Sequence, residues 1–273
     1  MSAMHVVRYG SGDAVLFIHG MPTSSSLWNG VMRRLCSRFS CFAVDLPGMG
    51  QTPSAPYGPD YLRSLADQLD ELRQEHGVEK WHVVGHDAGS VVAVHYARYY
   101  GEHVDHLALL SPSLFPELRP YHLLRALRQP LLGELCAPLV QFAFWKIAMQ
   151  RALASETAAD PDAASALQSF YAPFTGLFGS WQFMRLLRWG APADLLADVP
   201  HFLPRLAMPA LVIHGRRDPA IPESFARRAS TLLPNARLLT LDSGHFLPLN
   251  QPAAVANSLA SFFAAYPLMQ TSA

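Results

Sequence analysis

The chain is short of charge and of cysteine. Of its 273 residues 15% are charged, and 21 basic side chains balance 21 acidic ones, leaving no formal net charge. Without an excess of either sign there is no overall pull towards phosphate backbones or anionic membranes, and no nucleic-acid partner is expected. Like charges cluster no further than the pairs Arg33-Arg34, Arg216-Arg217 and Arg227-Arg228. The three cysteines, Cys36, Cys41 and Cys136, make neither an even framework nor a C-x-x-C pair. This removes disulfide-stapled and thiolate-metal classes and suits a reducing, cytoplasmic setting. Residues 1–10 lack a basic stretch followed by an apolar one and do not read as a secretory signal. No membrane span is expected either, because the most apolar interior segment, Leu135 to Met149, is short and interrupted by Pro138, Gln141 and Lys146. That segment reads as a buried or lid helix. A fixed-period repeat, a low-complexity tract and a third glycine after Gly48-Met-Gly50 are all missing, which excludes solenoids, disordered arrays and a phosphate-cradling fingerprint.

What the chain has is apolar residues, at 50% of the total, in a strand-then-helix rhythm. Short apolar runs ended by Gly or Pro turns predict strands buried on both faces at Ala14–His19, Cys41–Asp45, Trp81–Val84, His106–Leu110, Ala210–His214 and Arg237–Leu241. Helical stretches are expected at Asp60–His76, Ser90–Tyr100, Pro222–Leu233 and Pro252–Ala264. The alternation implies a mostly parallel sheet flanked by helices. It stops between Pro112 and about Pro200, where prolines, aromatics and Leu/Ala stretches take over. The expected organisation is a core of residues 1–111 and 201–273 with an inserted helical lid, 112–200, over the carboxyl ends of the strands, where open α/β sheets hold ligands. Residues 155–162, Ser-Glu-Thr-Ala-Ala-Asp-Pro-Asp, suit a loop inside it.

Three segments carry chemistry. Val83-Val-Gly-His-Asp-Ala-Gly-Ser90 runs from a strand through G-x-D-x-G into a helix. Gly85 and Gly89 permit the close backbone approach of a very sharp turn, which lifts Asp87 clear of the sheet beside a helix N-terminus. A plain helix-capping role for Asp87 is the alternative. Asp218 follows the strand in Val212-Ile-His-Gly-Arg-Arg-Asp218, and His245 follows the next in Leu241-Asp-Ser-Gly-His245. The chain order of nucleophile, acid and histidine at successive strand ends matches a catalytic triad.

With these pieces, and with Phe17-Ile-His-Gly-Met-Pro-Thr-Ser-Ser-Ser-Leu-Trp28, Asp45-Leu-Pro-Gly-Met-Gly50 and Gly244-His-Phe-Leu-Pro248, the chain resembles the α/β-hydrolase fold family. Within it, Asp87 resembles the branch with an aspartate nucleophile, which includes epoxide hydrolases and haloalkane dehalogenases. The resemblance implies an oxyanion hole from the Met21 and Ala88 backbone N–H groups, with no cofactor. Fixed amides after a strand and at a helix start suit that role independently. Met21–Pro22 is a candidate cis peptide bond.

An unperturbed aspartate is already ionised at neutral pH, so Asp87 can attack unaided. Attack on an ester carbonyl would give a high-energy anhydride, whereas attack on an sp3 carbon gives an ordinary ester. A small hydrophobic substrate with an electrophilic saturated carbon is therefore expected. In dehalogenases the halide donors commonly follow the nucleophile and the His-Gly pair, and here those positions hold Ala88 and Met21. Trp28, Trp145, Trp181 and Trp189 are alternative indole donors. Epoxide hydrolases commonly use two lid tyrosines, and Tyr121 and Tyr171 are the candidates. Epoxide opening thus ranks ahead of haloalkane dehalogenation. Behind them stand a cofactor-free lyase, decarboxylase or cyclase using Asp87 as a base, and a non-catalytic binding protein. Trp28, Tyr121, Trp145, Tyr171, Trp181 and Phe246 are candidate substrate contacts. His103 and His106 lack a third ligand at zinc-like spacing and read as surface residues, so no metal is expected. His86, His95 and His214 read as packed structural residues. The assembly is expected to be a monomer or a homodimer.

Overall fold

The structure is a computed structural model that describes residues 4–55, 58–118, 127–143, 145, 149, 162–176, 178–188 and 195–265. Seven strands form one sheet: β1 (Val6–Tyr9), β2 (Asp13–Ile18), β3 (Phe39–Val44), β4 (Trp81–His86), β5 (Val104–Leu110), β6 (Ala210–Gly215) and β7 (Ala236–Leu241). They lie in the order β1-β3-β2-β4-β5-β6-β7. Every neighbouring pair is parallel except β1 with β3. The apolar runs seen in the sequence are the central strands: β3, β4 and β6 are buried along their whole lengths. Burial on both faces is what removes polar alternation from a parallel strand. The antiparallel edge strand β1 is half exposed, and its Val-Val-Arg-Tyr has too short a pattern to be read from sequence.

Helices α1 (Asn29–Leu35), α2 (Tyr61–Glu75), α3 (Ala88–Tyr99), α7 (Glu223–Leu232) and α8 (Pro252–Ala265) flank the sheet. α2 buries Leu62, Leu65, Ala66, Leu69 and Leu72, the i, i+3, i+4 stripe of a helix laid on a core, and packs on α3. α1 packs on α8. The segment between β5 and β6 contributes α4 (Leu132–Ala143), α5 (Asp162–Tyr171) and α6 (Gly179–Arg188), with no strand among its described residues.

α4 differs from the buried helix that its apolar sequence allowed. It buries Gly133, Ala137, Val140 and Gln141 and leaves Leu135, Leu139 and Phe142 at 82%, 71% and 59% exposure. Composition alone does not say which side of an all-apolar helix faces inward. Residues 155–161, Tyr121 and Trp189 lie outside the described residues.

Candidate active site

Because β2, β4, β6 and β7 run in one direction, the loops after them gather at one edge of the sheet. Asp87 sits between β4 and α3 at φ 49°, ψ −120°, a conformation that L residues rarely adopt. Two glycines make the bend possible. A Cβ on Gly89 would lie 2.3 Å from the Ile18 carbonyl oxygen, and one on Gly20 would lie 2.6 Å from the Asp87 Cβ. No side-chain cap bond from Asp87 to α3 is formed, which removes the simple capping role.

The Asp87 carboxyl is partly buried and faces a cavity. Met21 N–H donates to its Oδ2 at 3.1 Å, and the adjacent Ala88 amide favours the charged form. Burial raises its pKa above the ordinary aspartate value, against the pull of His245 and the two amides. The loop that presents Met21 is held by His19. Leu46 N–H donates to His19 Nε2 at 2.9 Å, so Nδ1 carries the proton and donates to the Gly20 carbonyl at 2.8 Å. Met21–Pro22 is cis.

Asp45 explains the Asp45–Gly50 motif in structural terms. This buried carboxylate accepts from the amides of Ser25 at 2.6 Å and Gln51 at 2.9 Å, and His5 Nδ1 lies at 2.9 Å. It ties three loops beside the site into one piece.

Asp218 and His245 come together from the loops after β6 and β7. His245 Nδ1 lies 2.9 Å from Asp218 Oδ2, and the amides of Ala220 and Ile221 donate to Oδ1 at 2.8 and 3.0 Å. Burial would raise the Asp218 pKa, but His245 and these donors outweigh it and hold it below the carboxylate range. Burial lowers the His245 pKa, yet Asp218 and Asp87 together hold it above the ordinary imidazole value. A residue assigned no site role, His86, completes the frame. Its Nε2–H donates to the His245 carbonyl at 2.9 Å, and the two rings lie 4.8 Å apart. Burial drives His86 down to about 3, so it stays neutral.

An apolar cavity of about 120 Å³ reaches Asp87 and Ala88. Met21, Leu46, Met49, Leu65 and Val91 line it from the core, and Leu118, Leu195 and Leu196 from the segment between β5 and β6. Tyr61 and Ser113 are the hydroxyl-bearing residues of this lining, which holds no indole among the described residues. Tyr61 opens α2 and was missed in the sequence because it reads as one more core residue of that helix.

The aromatic substrate candidates fall elsewhere. Trp28 is fully buried against Phe17 and His86, outside the cavity lining. Trp145 packs with Tyr171, Phe174 and Phe183. Trp181 is partly exposed beside Phe178, and Tyr171 is partly exposed as well. Phe246 is buried edge-on to the His245 ring. None of the five is in the lining; Trp28, Trp145 and Phe246 spend their rings on packing, and Trp181 and Tyr171 turn part of theirs to solvent. His106, read as a surface residue, is buried, since β5 carries it into the sheet.

Residues 13–252 match the alpha/beta hydrolase fold family. A pimeloyl-acyl-carrier-protein methyl ester esterase of Vibrio vulnificus is 26% identical over 262 residues, 95% of this chain and 97% of that protein. A soluble epoxide hydrolase of Corynebacterium sp. is 36% identical over 108 residues, 40% of this chain and 37% of that protein. The solved haloalkane dehalogenase DbeA of Bradyrhizobium elkani has a TM-score of 0.78 at 24% identity, covering 96% of this chain and 94% of its own, a likeness of fold alone. The match over residues 13–252 and the strand-end loops described above assign the chain to the α/β-hydrolase fold family.

Proposed function

We propose that the protein is a hydrolase that attacks a saturated carbon with Asp87, and that its substrate is a small hydrophobic epoxide. The observation that carries this reading is the carboxylate itself, on the strained bend, with Oδ2 accepting from the Met21 amide and the Ala88 amide next to it. Asp87 Oδ1 forms a bond to an epoxide carbon, the C–O bond of the ring breaks, and the departing oxygen takes a proton. Tyr61 is the better proton source in the lining, because a phenol is more acidic than the Ser113 hydroxyl. His245 then removes a proton from water, which adds to the Asp87 carboxyl carbon. The Oδ2 oxygen becomes the oxyanion, stabilised by the two amides, and collapse releases a diol and restores the carboxylate. Each such donor typically lowers a barrier by about 2.7–4 kcal/mol. The segment between β5 and β6 would act as a lid, since Leu118, Leu195 and Leu196 close the cavity from that side.

Dehalogenation ranks lower because the described lining offers a leaving halide no indole N–H. Ester hydrolysis is the second reading, favoured by the Vibrio relative. Attack of Asp87 on an acyl carbon would leave an anhydride, which counts against it. The test is a His245→Gln variant soaked separately with an epoxide, a haloalkane and an ester panel, followed by intact-mass measurement. A stable gain of one epoxide mass on Asp87 is expected. An unmodified chain, with substrates that the native enzyme consumes, rejects the nucleophilic role. A Tyr61→Phe variant should slow epoxide opening at least about 100-fold.

A further inference from the structure

At the opposite edge of the sheet, three potential ligands stand together. His82 is the second residue of β4, and Asp105 and His106 are the second and third of β5. Neighbouring residues of a regular strand point to opposite faces, so Asp105 and His106 should diverge. They do not, because the β4–β5 register shifts: Trp81 pairs with Val104 and His82 with His106, leaving Asp105 as the extra residue of a bulge. The bulge brings Asp105 Oδ2 to 2.7 Å from His106 Nδ1 and 3.3 Å from His82 Nδ1, and the two Nδ1 atoms are 3.1 Å apart.

One proton on His106 Nδ1, shared between the carboxylate and His82 Nδ1, serves two edges of this triangle and leaves the third, His82 to Asp105, without one. With both Nδ1 atoms protonated, the carboxylate accepts twice but two N–H groups face each other. With one proton, on His106, the lone pair of His82 faces the carboxylate oxygen. A single cation satisfies all three edges at once. A tetrahedral zinc ion with bonds of about 2.0–2.1 Å separates its ligand atoms by about 3.3–3.4 Å; the His82–Asp105 edge at 3.3 Å already matches, the two Nδ1 atoms at 3.1 Å are near it, and the Asp105–His106 edge opens from 2.7 Å as the ion replaces the shared proton.

We propose that His82, Asp105 and His106 bind one divalent transition-metal ion of the zinc class through two imidazole Nδ1 atoms and one carboxylate oxygen, with water in the fourth position. Asp105 keeps 17% of its side chain exposed, which leaves a route for the ion and its water. The imidazoles are buried and held in place by α8: His82 stacks on Phe263 at 4.1 Å and His106 meets Phe262 edge-on at 5.0 Å. The mixed nitrogen and oxygen donors suit zinc, cobalt or copper rather than calcium or magnesium. The role is structural, a clamp that fixes the bulge and joins β4 and β5 beneath α8, and no step of hydrolysis runs through it.

The test uses the full chain, stripped with chelator and titrated with zinc chloride, with cobalt(II) absorption reporting tetrahedral geometry. The native chain should bind one equivalent at this site and gain several degrees in Tm under excess zinc. Asp105→Asn and His82→Phe, the latter keeping a ring against Phe263, should each lose that equivalent and the cobalt spectrum while retaining hydrolysis. Should His82→Phe fail to fold, Asp105→Asn decides alone. A native chain that takes up no zinc, or an Asp105→Asn variant that retains the full stoichiometry and spectrum, overturns the proposal.

Discussion

Asp87 is asked to hold a charge where burial disfavours one. Its pKa is raised in the folded protein, so at neutral pH the ionised carboxylate costs stability that an amide would not. Asp87→Asn keeps an acceptor for Met21 and Ala88, and it should raise Tm by a few degrees at pH 7 while lowering turnover by roughly four orders of magnitude. The gain should fade as pH falls below the ordinary aspartate range, where folded and unfolded chains both carry the protonated acid. Thermal melts from pH 3 to 8 check both sign and window. His245 makes a second case. Water activation needs the neutral ring, so turnover limited by deacylation should rise with pH through its pKa. Forming the ester removes the Asp87 charge, one of the causes that raise His245. The breakdown of a trapped ester should therefore show an apparent pKa below that of the same ring in the free protein, read by NMR. Equal or higher values would separate the two side chains functionally.

Among the elements, the strand-to-helix bend tolerates least. Gly89→Ala would drive a methyl group to 2.3 Å from the Ile18 backbone carbonyl, which has no flexible end to yield. A loss of about 2–4 kcal/mol is expected, seen as a drop in denaturant midpoint. α4 presents the reverse situation. Leu135 and Leu139 project into solvent, so Leu135→Gln with Leu139→Gln should shift stability by less than about 0.5 kcal/mol per site. These elements also mark how far the sequence could be read. The buried strands announce themselves by unbroken apolar runs, and the bend by its paired glycines, because those patterns have one local cause each. β1 and α1 are short and rely on partners far along the chain. The asymmetry of α4 and the β4–β5 bulge depend on neighbours that no local window contains. The same reason explains the site. Asp87, Asp218 and His245 announce themselves by position at strand ends. The aromatic contacts could not be told from core packing, and Tyr61 was hidden within an amphipathic stripe.

For the molecule as a whole, the balance of 21 basic and 21 acidic side chains puts the isoelectric point near 7.2. With an apolar helix face in solvent and no net charge to keep copies apart, solubility should pass through a minimum near that pH. Light scattering between pH 5.5 and 9 at low salt should rise towards neutrality and fall on both sides.

The sheet joins its two halves late. β5 pairs with β6 only after about a hundred intervening residues, and Leu107 meets Ala210 across that distance. On the function proposed above, a growing polypeptide therefore presents Asp87 long before His245 and Asp218 have left the ribosome. Such an unfinished product has neither the folded bend nor the means of activating water, so on that reading competence arrives with the last strands, and premature termination leaves an inert fragment.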